Sequence, residues 1–157
     1  MMTTLCSEVL DTLRKKGLTL ATAESLTGGG IGAAITAVSG ASEVYKGGVI
    51  SYVNEVKRHV LGVPGEVLGR RGAVSAETAG FMASGARKLL DADIAVSVTG
   101  LAGPGGDEFG NPVGTVFIGY ADGETNTVRH CRFAGSREEV RTQTIRAALS
   151  LILEQNP

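Results

Sequence analysis

The 157-residue sequence has no tryptophan, only two cysteines and only two histidines. Cys6 and Cys131 form no CxxC pair, which excludes a zinc ribbon and a dithiol redox motif, and unpaired cysteines fit a reducing cytosol. His59 and His130 lie far apart without acidic residues at ligand spacing, so the sequence predicts no metal site. Neither histidine is placed to act as a base. A serine, histidine and aspartate triad is therefore excluded, and a hydrolase would need another base.

The charge is balanced, since 15 basic and 16 acidic residues give a formal net charge of -1. The basic residues are spread along the chain, which argues against binding nucleic acid. No apolar run reaches the roughly 18 residues that a membrane span needs, and no apolar signal core opens the chain. We therefore expect a soluble, cytoplasmic protein with no membrane contact. With 43% hydrophobic residues, residues 1–157 are enough for one domain with its own core.

Apolar spacing predicts helices and strands that alternate along most of the chain. Helices are predicted at 3–16, 31–38, 55–61, 75–90 and after Ser136, and strands at 18–23, 49–53, 93–99, 113–121 and 125–133. Ser75 is the expected cap of one helix, Ser136 opens the last with a capping box, and Asp122 and Gly123 indicate a hairpin. The predicted class is α/β, with helices on both faces of a mixed sheet.

Glycine is abundant, with 23 residues that cluster at 28–32, 47–48 and 100–110. The first cluster lies where a strand turns into a helix, and the free N–H groups of a helix start attract anions, so a phosphate could bind there. The spacing of Gly28, Gly30 and Ala33 resembles a dinucleotide fingerprint, but no acidic residue stands about 20 positions on. These glycines could also serve only to let a helix pack closely.

The stretch 40–57 places a serine, a tyrosine and a lysine near one another in the sequence. Asn54 is predicted to cap the helix that follows the second strand, which puts Lys57 in its first turn, where an acid is preferred. A lysine with a lowered pKa can take a proton from a serine hydroxyl. Ser42 could then be the nucleophile, with Tyr52 relaying or orienting the proton. The alternative is that Lys57 is a surface residue and Ser42 a turn cap.

A family resemblance bears on this choice. The segments that carry it are 22–29 (TAESLTGG), 40–42 (GAS), 52–57 (YVNEVK), 72–75 (GAVS), 98–104 (VTGLAGP) and 112–115 (PVGT). In order, they resemble the C-terminal domain of the competence/damage-inducible CinA proteins, over nearly the whole chain.

The resemblance implies an amidohydrolase that cleaves nicotinamide mononucleotide to nicotinic acid mononucleotide and ammonia, without metal or cofactor. It implies Ser42, Tyr52 and Lys57 as the catalytic group, in a three-layer α/β/α sandwich with a mixed, mostly parallel sheet. Members of the family tend to be oligomeric, so we expect a homo-oligomer. The segment that resembles molybdopterin-binding proteins in longer members is absent from this sequence, which implies a deamidase that acts alone.

The substrate is expected to lie between the two glycine loops, because both follow the carboxyl end of a strand. The predicted binding residues are Glu24, Ser25, Thr27, Gly28, Gly29, Thr99, Gly100, Gly103 and Arg141. The loop 27–29 would hold the phosphate, Glu24 a ribose hydroxyl or a water, and Arg137 and Arg141 are weaker phosphate candidates. The competing hypothesis is a non-catalytic nucleotide-binding or regulatory module.

Overall fold

A computed structural model describes residues 1–157, which form six helices and five strands. The elements are α1 (Met2–Lys16), β1 (Leu20–Glu24), α2 (Gly30–Thr36), β2 (Tyr45–Ile50), α3 (Asn54–His59), α4 (Gly65–Arg71), α5 (Ala76–Leu89), β3 (Ile94–Gly100), β4 (Thr115–Ala121), β5 (Asn126–Arg132) and α6 (Arg137–Gln155). A short 3₁₀ turn, Ala41–Glu43, precedes β2.

The five strands form one sheet in the order β2-β1-β3-β4-β5. β1 pairs in parallel with β2 on one side and with β3 on the other, whereas β4 is antiparallel to both of its neighbours. Four strands therefore run in one direction and β4 alone runs against them. The carboxyl ends of β1, β2 and β3 meet at a single edge of the sheet, which is where open α/β sheets bind ligands.

Helices cover both faces of this sheet. The larger hydrophobic cluster joins α1, α2 and α6 to one face through side chains such as Leu10, Ile31 and Leu149. The smaller cluster joins α5 to the other face, with Met82 and Ala86 packed against Ala21 and Ala95. β1 lies between β2 and β3 and is buried along its whole length. The prediction of a three-layer α/β/α sandwich with a mixed sheet is confirmed.

Several local predictions hold at the residue level. The Ser75 hydroxyl accepts from the N–H of Thr78 at the start of α5, and Ser136 and Glu139 form the capping box that opens α6. β4 and β5 pair as the predicted antiparallel hairpin.

Three boundaries differ from the prediction. β2 begins at Tyr45 and contains Gly47 and Gly48, whereas the predicted strand began at residue 49. The register with β1 explains this, because a Cβ on Gly48 would collide with the Thr22 hydroxyl, so glycine lets the strands approach. Residues 65–71 form helix α4, which was not among the predicted helices. Val53, in extended conformation, is the N-cap of α3, and no side chain caps that helix.

None of the helices combines the length and the apolar character that crossing a membrane requires.

Candidate active site

A cavity of about 620 Å³ opens at the edge of the sheet where β1, β2 and β3 end. The turn after β1 contributes Ser25 and Leu26, the segment after β2 contributes Tyr52, Asn54 and Lys57, and the end of β3 and the loop after it supply most of the remaining wall. Three separate stretches of the sequence thus meet because parallel strands carry their carboxyl ends to the same edge.

Lys57 lies at the base of this cavity. Its side chain is only 1% exposed, and a helical side chain tilts back toward the start of its helix, which directs the amine to the end of β2. Nζ lies 2.9 Å from the Ser25 hydroxyl, 2.7 Å from the Ser51 carbonyl and 3.2 Å from the Tyr52 carbonyl. No carboxylate contacts it. Burial lowers the pKa of Lys57 from 10.5 to about 8.

Ser25 is the hydroxyl that meets this amine. It follows the last residue of β1, is 7% exposed, and its N–H donates to the carbonyl of Val98 on β3. The turn after it bends sharply because Gly28 and Gly29 adopt φ values of 58° and 98°, which side chains other than glycine rarely accept. The turn therefore holds the Ser25 hydroxyl at the cavity wall instead of letting the chain continue as a strand.

Ser42 occupies a different place. It lies in the 3₁₀ turn before β2, whereas Lys57 comes after β2. A six-residue strand separates its two ends by about 17 Å. Ser42 borders a separate cavity at the opposite end of the strand. The sequence prediction that Ser42 gives its proton to Lys57 must therefore be corrected, and Ser25 stands in that position.

Tyr52 is 58% exposed, and its ring borders the cavity. Its hydroxyl accepts from Arg137 Nη2 at 3.1 Å, while Arg137 Nη1 donates to the Gly103 carbonyl at 2.7 Å. The contact between Ser25 and Lys57 is direct, so no tyrosine relay between them is needed. Arg137 ties the segment after β2 to the second glycine loop.

A protein carboxylate, that of Glu24, already bonds to the start of the helix that follows residues 27–29. Glu24 is 2% exposed; its Oε1 accepts from the Thr27 hydroxyl and the Ile31 N–H, and its Oε2 accepts from the Gly32 N–H. The first N–H groups of α2 therefore have an internal anion as their partner. These bonds commit Glu24 to the turn and to α2, which corrects its predicted role in holding a ribose hydroxyl. The phosphate contact at 27–29 stays a prediction.

The glycines of the first cluster also permit close packing, which was the alternative interpretation. A Cβ on Gly30 would lie 2.7 Å from Ile145 Cδ1 of α6. Arg141, one turn of α6 beyond Arg137, donates to the carbonyls of Leu26 and Thr27. Of the predicted binding residues, Glu24, Thr27, Gly28, Gly29 and Arg141 do not border the cavity.

The remaining predicted binding residues do border it: Ser25, Thr99, Gly100 and Gly103. The Thr99 hydroxyl donates to the carbonyl of Ala73, which attaches the end of β3 to the segment before α5.

The loop after Gly103 supplies cavity residues that the sequence did not single out. Asp107, Glu108 and Phe109 border the cavity. The Asp107 carboxylate accepts from the N–H groups of Phe109 and Asn111, which folds the loop back on itself. Phe109 rests on Gly72, where a Cβ would lie 2.6 Å from the ring. The glycine at 72 was the sequence signal that could have located the contact of this loop.

No group of three or more histidine, cysteine, aspartate or glutamate side chains is arranged to hold a metal ion.

Comparison with known proteins shows which family the chain belongs to. The model of the CinA C-terminal domain matches residues 2–156. The chain belongs to the CinA C-terminal domain family. It is 47% identical over 146 residues to a CinA-like protein of Geobacter sulfurreducens, which covers 93% of this chain and 35% of that protein. The chain spans about a third of the length of the curated relatives that it matches.

Solved structures of the CinA superfamily share the fold over almost their whole length. A protein from Escherichia coli superimposes with a TM-score of 0.97 at 34% identity, covering 99% of this chain and 90% of that chain. One from Klebsiella pneumoniae 700603 gives 0.96 at 36% identity, covering 99% and 97%. The resemblance deduced from the sequence motifs is confirmed, and the fold of this CinA domain is that of its relatives.

Proposed function

We propose that residues 1–157 act as one amidohydrolase domain that converts nicotinamide mononucleotide to nicotinic acid mononucleotide and ammonia. Ser25 is the nucleophile and Lys57 is the base. One observation carries the proposal: the buried amine of Lys57 lies 2.9 Å from the Ser25 hydroxyl and has no carboxylate partner. A serine beside a lysine of lowered pKa is a known arrangement for activating a hydroxyl.

The carbonyls around Lys57 favour this role. A neutral amine keeps two N–H bonds and one lone pair. The carbonyls of Ser51 and Tyr52 accept the two N–H bonds, which leaves the lone pair for the Ser25 hydroxyl. The same carbonyls accept equally well from the ammonium that forms when the proton moves. Lys57 therefore changes charge without having to move.

The reaction proceeds through an ester of Ser25. Lys57 takes the hydroxyl proton as Ser25 Oγ attacks the carboxamide carbon, and the amide oxygen becomes an oxyanion. The carbon–nitrogen bond then breaks, and the leaving ammonia takes the proton back from Lys57. Water attacks the ester with Lys57 again as base, which releases the carboxylic acid and restores Ser25. No external oxidant or reductant is required.

Backbone N–H groups next to Ser25 are available for the oxyanion. The N–H groups of Leu26 and Thr27 have no hydrogen-bond partner in the chain, and Leu26 borders the cavity. The N–H of the residue after a nucleophile is a common oxyanion donor. We assign the N–H of Leu26, the residue that borders the cavity, to the oxyanion.

The choice of substrate rests on the family resemblance and on the character of the cavity. A volume of about 620 Å³ suits a mononucleotide. Tyr52 and Phe109 offer aromatic surface to a pyridine ring, and Glu108 offers a carboxylate at the cavity wall to its positive charge. Arg137 is the guanidinium at the cavity wall and is our candidate for the phosphate.

Ammonia release from nicotinamide mononucleotide tests the proposal. We expect activity in the wild type, loss of at least about 1,000-fold in Ser25→Ala, and wild-type activity in Ser42→Ala, the matched serine outside the cavity. The competing non-catalytic nucleotide-binding module predicts that the wild type binds the nucleotide but releases no ammonia. Loss in Ser42→Ala with full activity in Ser25→Ala would reverse the assignment of the nucleophile.

The expected homo-oligomer and cytoplasmic location stay predictions. Sedimentation of the purified chain and fractionation of the source cells test them.

A further inference from the structure

Arg141 has contacts that the reaction as described does not use. We propose that Arg141 is a positioning residue that orients the turn after Ser25 and thereby the N–H that binds the oxyanion, without touching the substrate. This inference rests on the proposed function. It differs from the role in substrate binding that the sequence predicts for the same residue.

The contacts of Arg141 lead to the Ser25 turn. Arg141 is the fifth residue of α6, and its guanidinium reaches across to the turn after β1. Nε donates to the Leu26 carbonyl at 2.9 Å, and Nη2 donates to the Thr27 carbonyl at 3.2 Å. A Cβ on Gly28 would lie 3.6 Å from Nη2, so the guanidinium also packs against the turn. One rigid, planar group thus holds two consecutive carbonyls.

Peptide planarity transmits this hold to the N–H groups. In a trans peptide the C=O and the N–H point in opposite directions. A Leu26 carbonyl that faces Arg141 therefore turns the Thr27 N–H away from Arg141. The Thr27 carbonyl likewise turns away the Gly28 N–H, which donates to the Ser25 carbonyl at 3.1 Å. That bond fixes the peptide group between Ser25 and Leu26, and with it the direction of the Leu26 N–H.

Of the N–H groups oriented in this way, that of Leu26 has no hydrogen-bond partner and belongs to a residue that borders the cavity. An oxyanion site needs donors that are fixed in advance, because reorienting them during the reaction costs free energy. Arg141 provides that fixation from outside the cavity, since it is absent from the cavity wall while Arg137 is part of it. Arg137 and Arg141, one helical turn apart, thus have different roles: the first borders the cavity and the second orients the turn after Ser25.

The test compares Arg141→Ala with Arg137→Ala on two substrates, nicotinamide mononucleotide and nicotinamide riboside, which lacks the phosphate. For Arg141→Ala we expect kcat to fall about 100-fold on both substrates, with KM nearly unchanged. For Arg137→Ala we expect KM to rise for the mononucleotide only. Guanidinium chloride at low millimolar concentration should restore part of the kcat of Arg141→Ala and none of that of Ser25→Ala.

A second readout needs no substrate. A fluorophosphonate phosphonylates an activated serine with loss of fluoride, and its rate also depends on the oxyanion donors. We expect Ser25 labelling, followed by intact mass, to slow about as much as kcat in Arg141→Ala, and less in Arg141→Lys, whose ammonium can hold one carbonyl at a time. Arg141→Lys also serves if the alanine variant unfolds.

The outcomes separate the two proposals. If the wild type releases no ammonia but its Ser25 is labelled, and labelling slows in the Arg141 variants, the proposed function fails and the positioning role stands. If Arg141→Ala raises KM for the mononucleotide alone, Arg141 binds phosphate and the inference is overturned. Unchanged labelling and kcat in both Arg141 variants, or a wild-type Ser25 that is not labelled at all, overturns it as well.

Discussion

The charge on Lys57 sets the pH dependence of the proposed reaction. Burial lowers its pKa from 10.5 to about 8, which corresponds to about 3 kcal/mol against the ammonium. At pH 7 about 9% of Lys57 is then neutral, compared with about 0.03% for an ordinary lysine. Burial therefore raises the population of the active base about 300-fold at neutral pH.

The assay is kcat/KM for ammonia release between pH 5.5 and 9.5. We expect its logarithm to rise with a slope of about one and to level off near pH 8, because only neutral Lys57 accepts the Ser25 proton. Lys57→Met should lose nearly all activity at every pH. Lys57→Arg should lose it too, because a guanidinium keeps the positive charge but does not deprotonate in this range.

Two results would refute this reasoning. One is a rate that is flat from pH 6 to 9 although chemistry limits it, and the other is an acid limb that persists unchanged in Lys57→Met.

Stability provides an independent check on the same group. Below about pH 8 the lysine is protonated in both the folded and the unfolded chain. Between about 8 and 10.5 the unfolded chain binds more protons, so Lys57 makes the free energy of unfolding rise with pH by up to about 3 kcal/mol. The free energy of unfolding can be measured by urea titration at pH 7.5 and 10. Its rise between these two pH values should be larger in the wild type than in Lys57→Met by this contribution. An equal pH response in both proteins would mean that the lysine is not desolvated.

Three further predictions concern other parts of the site and its support. Arg137→Gln should weaken the bridge between Tyr52 and the second glycine loop and raise KM for nicotinamide mononucleotide about 10-fold or more; an unchanged KM would exclude Arg137 as a substrate contact. Glu24→Gln should lower the free energy of unfolding by about 1–3 kcal/mol in urea, because one buried N–H of α2 loses its acceptor. Gly85→Ala should cost about 1–3 kcal/mol, because its Cβ would collide with the Leu61 carbonyl. Gly69→Ala, in open space on α4, should be neutral or slightly stabilising, and equal effects at the two glycines would contradict the packing seen here.

Local patterns in the sequence were enough to predict most helices and strands and to identify the family. The Ser136 capping box, the Ser75 cap and the hairpin at 122–123 depend on neighbouring residues, so their patterns could be interpreted directly. Alternating helices and strands predicted the α/β class, and the motifs predicted the CinA relationship. Lys57 was also found from the sequence, because a lysine in the first turn of a helix is a local exception.

The partner of Lys57 was decided by tertiary structure. In the sequence, Ser42 is 15 residues from Lys57 and Ser25 is 32 residues away, which favoured the wrong serine. Parallel pairing of β1 with β2 brings Ser25 to the carboxyl end of β2, where it contacts the Lys57 amine. Ser42 lies at the other end of β2. Direction and register of strands are long-range properties that no local pattern encodes.

The same dependence on tertiary contacts explains what binds the N–H groups at the start of α2. The glycines after β1 correctly indicated free N–H groups at the start of a helix, which is a local property. Glu24 accepts hydrogen bonds from these N–H groups, and Arg141 of α6 donates to carbonyls of the same turn. These contacts join residues that are 8 and 115 positions apart in the sequence. The sequence by itself thus determined the family, the class of fold and the proposed base, whereas packing decided the position of the proposed nucleophile and which charges remain free for a substrate.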